Sequence, residues 1–297
     1  MSNFKGLGTA IVTPFRDGGV DYDAYRVLLS RQIKAKVDFI VALGTTAETP
    51  CLSPEEKQQI LEVTRSIYTG PLMVGAGTNS LIGTLHNMRQ LRKYNPDAWL
   101  IVVPYYNKPT QEGMYQYFKT IAESTDIPVF IYNIPSRTGV NLSPETAGQL
   151  AQLPNIVGIK DANPNVEHLR AMREAVGGEF IVLSGNDDQW FELSSGVFDG
   201  LISVVSNIVP ETMVAMGAAI SRGDRFNAER IDESLRPLYR ACFLESNPIP
   251  VKGALRMLGY CSSEMRLPLV PASSNTLSRL AMAMQAFSQV PLPNSEI

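Results

Sequence analysis

Asn155-Ile-Val-Gly-Ile-Lys160 is the stretch that decides how this 297-residue chain folds. Its apolar run lacks polar alternation, as expected of a parallel strand covered on both faces. A lysine closes the run. An ammonium is costly to bury, so the position needs a charge partner or holds a neutral amine. A neutral lysine amine attacks ketones. A lone lysine at a strand end ordinarily runs out into solvent, and the rest of the chain argues against that reading here.

Similar Val- and Ile-rich runs recur at 8–13, 37–42, 72–76, 98–103, 128–132, 180–184 and 200–204. Helical patterns alternate with them, among them 22–35, 54–68, 81–94, 112–124, 144–152 and 166–176. Ser53-Pro54-Glu55-Glu56 reads as a capping box with proline at the first helical position, and Ser143-Pro144-Glu145 repeats the serine and proline. Eight strand–helix units in series predict an α/β fold, a (β/α)8 TIM barrel over residues 1–224. Residues 225–297 read as a helical extension packed on the barrel, with helices at 225–243, 251–258 and 274–289 and no Gly/Ser-rich linker before them.

Hydrophobic residues make up 44% and charged residues 19%, which supports a large core. A net charge of −3 argues against a nucleic-acid or anionic-membrane partner. No run approaches the ~18 apolar residues of a membrane span, and the start of the chain lacks a signal-peptide pattern. Cys51, Cys242 and Cys261 are odd in number and widely spaced, so no disulfide framework is expected and a reducing cytoplasm fits. Asn141-Leu-Ser143 matches a glycan acceptor, which reads as chance without a secretion route. His86 and His168, the two histidines, fall in expected helices away from strand ends. They read as surface or structural residues, so no metal site is expected. Gly75-Ala-Gly77 lacks the third glycine of a dinucleotide fingerprint, and no phosphate loop is present.

Barrels of this kind carry chemistry at the C-terminal ends of their strands. Those positions here are Gly44-Thr45-Thr46-Ala47-Glu48, Pro104-Tyr105-Tyr106-Asn107, Tyr132 through Gly139, Lys160-Asp161, Ser184-Gly185-Asn186 and Ile202-Ser203. Strand alternation puts Ile156, Gly158 and Lys160 on one face, with Gly158 leaving room beneath the lysine. It also aligns Phe130 with Tyr132, so two neighbouring strands can aim an amine and a phenol at one point. That pairing suits imine chemistry, because a phenol can shuttle protons to and from a carbinolamine oxygen. Thr45 and Thr46 offer hydroxyls and N–H groups suited to a carboxylate, and Arg137 offers a bidentate fork for a second one.

Gly44-Thr-Thr46, Pro104-Tyr-Tyr-Asn107, Tyr132-Asn-Ile-Pro-Ser-Arg-Thr-Gly139, Gly158-Ile-Lys160 and Asn247-Pro-Ile-Pro-Val-Lys252 together resemble one family along the whole chain. It is the dihydrodipicolinate synthase (4-hydroxy-tetrahydrodipicolinate synthase) branch of the pyruvate-dependent class I aldolases. The resemblance implies that Lys160 forms a Schiff base with pyruvate and that Tyr132, Thr45 and Tyr106 relay protons. Tyr106 would be donated by a partner subunit of a homotetramer, a dimer of tight dimers. Thr46 matches the contact to the pyruvate carboxylate, Gly185 and Ile202 match the pyruvate pocket, and Arg137 matches the receptor for the carboxylate of L-aspartate 4-semialdehyde. No exogenous cofactor is implied.

Related aldolases acting on sialic acid or 2-keto-3-deoxy-sugar acids are the alternative, but they usually lack the arginine at position 137. A barrel that only binds a keto acid is a further alternative. Three departures from the family pattern stand out. Ala47 replaces a usual glycine, at a cost of about 1 kcal/mol if φ is positive there. Ser246 replaces a common proline. Lys57 and Gly83 replace the histidine and glutamate often found in lysine-regulated members, so weak or absent feedback by lysine is expected.

Overall fold

Apolar runs with no polar face have to be covered on both sides, and the chain covers each with the helix that follows it. The computed structural model describes residues 4–288. Eight strands form a closed parallel barrel: β1 (Gly6–Ala10), β2 (Phe39–Ala42), β3 (Leu72–Gly75), β4 (Ala98–Val102), β5 (Val129–Asn133), β6 (Ile156–Asp161), β7 (Ile181–Ser184) and β8 (Gly200–Ser203). Their order around the barrel is β1-β8-β7-β6-β5-β4-β3-β2. Nearly every strand residue is buried, which accounts for the missing alternation.

The helices following the strands are α1 (Tyr22–Ala35), α2 (Pro54–Ile67), α3 (Leu81–Leu91), α4 (Gln111–Glu123), α5 (Pro144–Leu150), α6 (Val166–Val176), the one-turn α7 (Trp190–Leu193) and α8 (Pro210–Ser221). Beyond them come α9 (Arg225–Cys242), α10 (Ile249–Met257) and α11 (Ser274–Ser288). The capping box forms as expected: Glu56 N–H donates to Ser53 Oγ, and Ser53 N–H donates to the Glu56 carboxylate at 2.9 Å. Ser143 caps α5 in the same manner by accepting from Thr146 N–H.

Two elements lack a periodic signal in the sequence. A two-residue hairpin pairs Phe15–Arg16 with Gly19–Val20, closed by Asp17 and Gly18 at positive φ. A single helical turn, Pro135–Thr138, interrupts the loop after β5. The first strand starts two residues before the expected 8–13 and stops at Ala10, and the expected end of the last helix, Gln289, lies outside the described residues. Among the described residues no helix is long and apolar enough to cross a membrane, and no three His, Cys, Asp or Glu side chains group as metal ligands.

The chain divides into two compact units. One comprises Pro71–Ile202 with the segment up to Lys5, and so carries β3 to β7 and most of β8. The other comprises Gly6–Gly70 and the chain from Ser203 onward, and so carries β1, β2 and the C-terminal helices.

Candidate active site

The register between β5 and β6 sets the surroundings of Lys160. Val129 pairs with Ile156, but Phe130 pairs with Gly158, so Val157 is an extra residue on β6. Beyond that irregularity Tyr132 pairs with Lys160 and Asn133 with Asp161. Without the shift, Tyr132 would face Ile159 and the lysine would lie opposite Asn133. The expected alternation of Ile156, Gly158 and Lys160 along one face therefore holds only from Gly158 onward.

Lys160 is 7% exposed, and its Nζ lies 4.2 Å from the centroid of the Tyr132 ring. Among the described residues it makes no ion pair. The expected space beneath it is filled. A Cβ at position 158 would stand 2.3 Å from the Phe130 ring and 2.8 Å from the Ile181 carbonyl, so the glycine is there to admit the phenylalanine. Phe130 in turn meets Phe4 edge-on, with centroids 5.5 Å apart. Lys160 thus stands on a packed aromatic floor.

Asp161, the next residue, is fully buried and accepts from Asn133 Nδ2 at 3.0 Å and from Asn163 N–H at 2.9 Å. His168 Nε2 lies 3.1 Å from its other oxygen. The expectation that His168 lies away from strand ends is therefore overturned: α6 folds back so that its first turn reaches the end of β6. Arg137 is exposed, on the turn Pro135–Thr138 of the same loop system. Gly185 donates its N–H to Asp161 O at 2.8 Å, and a Cβ there would lie 2.6 Å from that of Ala162. Ile202 is fully buried on β8. Tyr106 is 88% exposed, at φ 73°.

Thr45 and Thr46 belong to the other unit, in the single 3-10 turn Thr45–Ala47 just past β2. Thr46 is buried, and its Oγ1 accepts from Asn247 Nδ2 at 2.9 Å. The condition for a penalty at Ala47 is not met: the positive φ lies one residue later, on Glu48 at 52°.

Glu48 closes the strand-end run 44–48, and nothing in the sequence assigns it a role. Its carboxylate accepts from Lys252 Nζ at 2.7 Å and from Arg266 N–H at 3.1 Å, and both members of the ion pair are fully buried. Burial pulls the Lys252 ammonium below its ordinary range, and the Glu48 charge opposes that shift. The Lys252 ammonium and the Arg266 guanidinium lie 4.1 Å and 4.5 Å from the Phe15 ring centroid. Arg266 also forks onto Glu56, with Nη1–Oε2 at 2.6 Å and Nη2–Oε1 at 2.5 Å. The segment from Asn247 to Lys252 therefore grips the threonine turn at two points, through the Thr46 hydroxyl and the Glu48 carboxylate. The Ser246 carbonyl accepts from Ile249 N–H at 2.9 Å, so that turn closes without the family's usual proline.

Residues 3–287 match the model of the dihydrodipicolinate synthetase family. The chain belongs to that family. It is 47% identical over 283 residues to the 4-hydroxy-tetrahydrodipicolinate synthase of Thermotoga neapolitana, an alignment covering 93% of this chain and 96% of the relative. The dihydrodipicolinate synthase structure from Thermotoga maritima superposes with a TM-score of 0.93 at 43% identity, covering 97% of this chain and all of that one. The Acinetobacter baumannii enzyme, solved in complex with pyruvate, gives 0.92 at 40%, with 96% and 99% covered. This dihydrodipicolinate synthetase family member thus has the expected TIM barrel, with the lysine and tyrosine of the family motifs on directly paired positions of β5 and β6.

Proposed function

We propose that this chain is a Schiff-base-forming lyase that condenses pyruvate with L-aspartate 4-semialdehyde to give 4-hydroxy-tetrahydrodipicolinate, a step of diaminopimelate and lysine biosynthesis in the cytoplasm. The observation that carries the reading is the buried Lys160 amine over the face of Tyr132, on paired residues of adjacent strands. Lys160 Nζ attacks the ketone carbon of pyruvate. Tyr132 passes a proton to the carbinolamine oxygen, and water leaves as the imine forms. Loss of a methyl proton gives the enamine, whose carbon attacks the aldehyde carbon, and the resulting alkoxide takes up a proton. The amine of the second substrate then attacks the imine carbon, the ring closes, and Lys160 departs as the free amine. The imine nitrogen serves as electron sink, so no exogenous cofactor enters.

Thr46 receives the pyruvate carboxylate, and Gly185 and Ile202 line the pocket for the keto acid. Arg137 receives the carboxylate of the aldehyde substrate, which separates this reading from an aldolase for neutral sugars. Thr45 and Tyr106 complete the proton relay. Tyr106 is donated by a second subunit across the tight interface of a homotetramer, a role that its exposed ring supports.

Borohydride reduction in the presence of pyruvate, followed by peptide mapping, tests the reading. A stable adduct on Lys160 that vanishes in Lys160→Ala is expected. An adduct elsewhere, or none, overturns it.

A further inference from the structure

Two backbone N–H groups fix the hydrogen-bond sense of the network that surrounds His168. Leu142 N–H donates to Asn133 Oδ1 at 3.1 Å, so Asn133 Nδ2 points the other way and donates to Asp161 Oδ1 and to Asn141 Oδ1, the latter at 2.9 Å. Asn165 N–H donates to Asn163 Oδ1 at 2.9 Å, so Asn163 Nδ2 also donates to Asn141 Oδ1, at 3.1 Å. With two donors aimed at its oxygen, the Asn141 amide has one orientation. Its Nδ2 then faces His168 Nδ1 at 3.4 Å, which makes that ring nitrogen an acceptor. The ring proton sits on Nε2 and is donated to Asp161 Oδ2 at 3.1 Å.

The ring therefore bridges the residue after Lys160 and the far end of the loop that starts at Asn133 and carries Arg137. The ends of that loop are also tied by Ala162 N–H, which donates to Asn133 O at 2.9 Å, by Asn163, and by Gln111, whose Nε2 donates to Asn141 O at 2.8 Å; the ring is the member that joins Asn141 to the residue after Lys160. We propose that His168, as the neutral imidazole protonated on Nε2, is a positioning residue for the Arg137 loop and acts through Asp161 and Asn141. The proposal rests on the reading that Arg137 receives the carboxylate of the aldehyde.

The test uses the full chain, with His168→Leu, which can neither donate nor accept, and His168→Gln, which can do both. The leucine variant is expected to raise KM for L-aspartate 4-semialdehyde about tenfold, the size of one lost hydrogen bond to a charged group. Its KM for pyruvate and its borohydride adduct on Lys160 should not move, and glutamine should restore the aldehyde KM. A purely structural role would lower the melting temperature of the leucine variant without this split. Histidine nitrogen NMR of the unmodified protein should show a neutral ring with its proton on Nε2. A cationic ring, a proton on Nδ1, or an unchanged aldehyde KM in a folded leucine variant overturns the proposal. If that variant fails to fold, the NMR result and the glutamine variant decide. Absence of a pyruvate adduct in the unmodified protein would instead defeat the underlying reading and leave the tautomer assignment to the NMR.

Discussion

Replacing Lys252 with methionine would strand the Glu48 carboxylate in a fully buried site. Methionine keeps the apolar stem against Phe15 but gives no proton, and the carboxylate retains only the Arg266 N–H among its described donors. Removing one member of a buried ion pair costs about 3–5 kcal/mol. With an unfolding entropy of roughly 2 cal/mol/K per residue, a chain of this length loses about 5–8 °C of melting temperature. Adding Glu48→Gln removes the stranded charge while its carbonyl still accepts from Arg266 N–H. The double variant should therefore regain most of the loss, with a coupling of about 2–3 kcal/mol in a double-mutant cycle. Calorimetric melts of the four proteins at neutral pH measure this directly. If the two single losses are each under about 1 kcal/mol and simply add, the pair is not coupled and the argument for a clamped threonine turn fails.

Three further outcomes are expected. Gly158→Ala puts a methyl 2.3 Å from Phe130 and 2.8 Å from a backbone carbonyl, and should cost about 1–3 kcal/mol with a fall in kcat; a melt matching the unmodified protein counts against it. The Arg266 hydrogen bonds hold the Glu56 carboxyl below its ordinary 4.5. Its contribution is thus fully present above that pH and is lost as the pH falls through the lower folded value, so Glu56→Gln should flatten the acid side of the stability curve, measured by denaturant titration across pH. L-lysine should inhibit weakly or not at all, since Lys57 and Gly83 stand at the positions where the resemblance implies a histidine and a glutamate in lysine-regulated members; strong inhibition at sub-millimolar lysine refutes this.

The eight strands were legible because each is an apolar run too short for a helix and bounded by turn residues. The caps at Ser53 and Ser143 were legible because a cap is a local device spanning three or four residues. Alternation lets neighbouring strands aim Tyr132 and Lys160 at one point, but their direct pairing is set by the extra residue Val157, whose position no local pattern marks. Glu48 and Lys252 are 204 residues apart, and neither residue type announces burial, so their meeting is a property of the tertiary fold alone. His168 reads as a surface or structural residue away from strand ends, because nothing in the sequence shows how far α6 folds back toward β6. Asn141 was read as a chance glycan acceptor, and its amide is in fact committed to three side chains.

The phenylalanine seated on a glycine occurs twice. Phe39 covers Gly8 across β1 and β2 just as Phe130 covers Gly158 across β5 and β6, each on directly paired residues. In both places a side chain added at the glycine meets the ring, so the size of one residue limits the size of the other. Enlarging the glycine first carries an overpacking cost such as that of Gly158→Ala, and shrinking the ring first leaves a void in the barrel, so each pair is exchanged with least loss when both members change together.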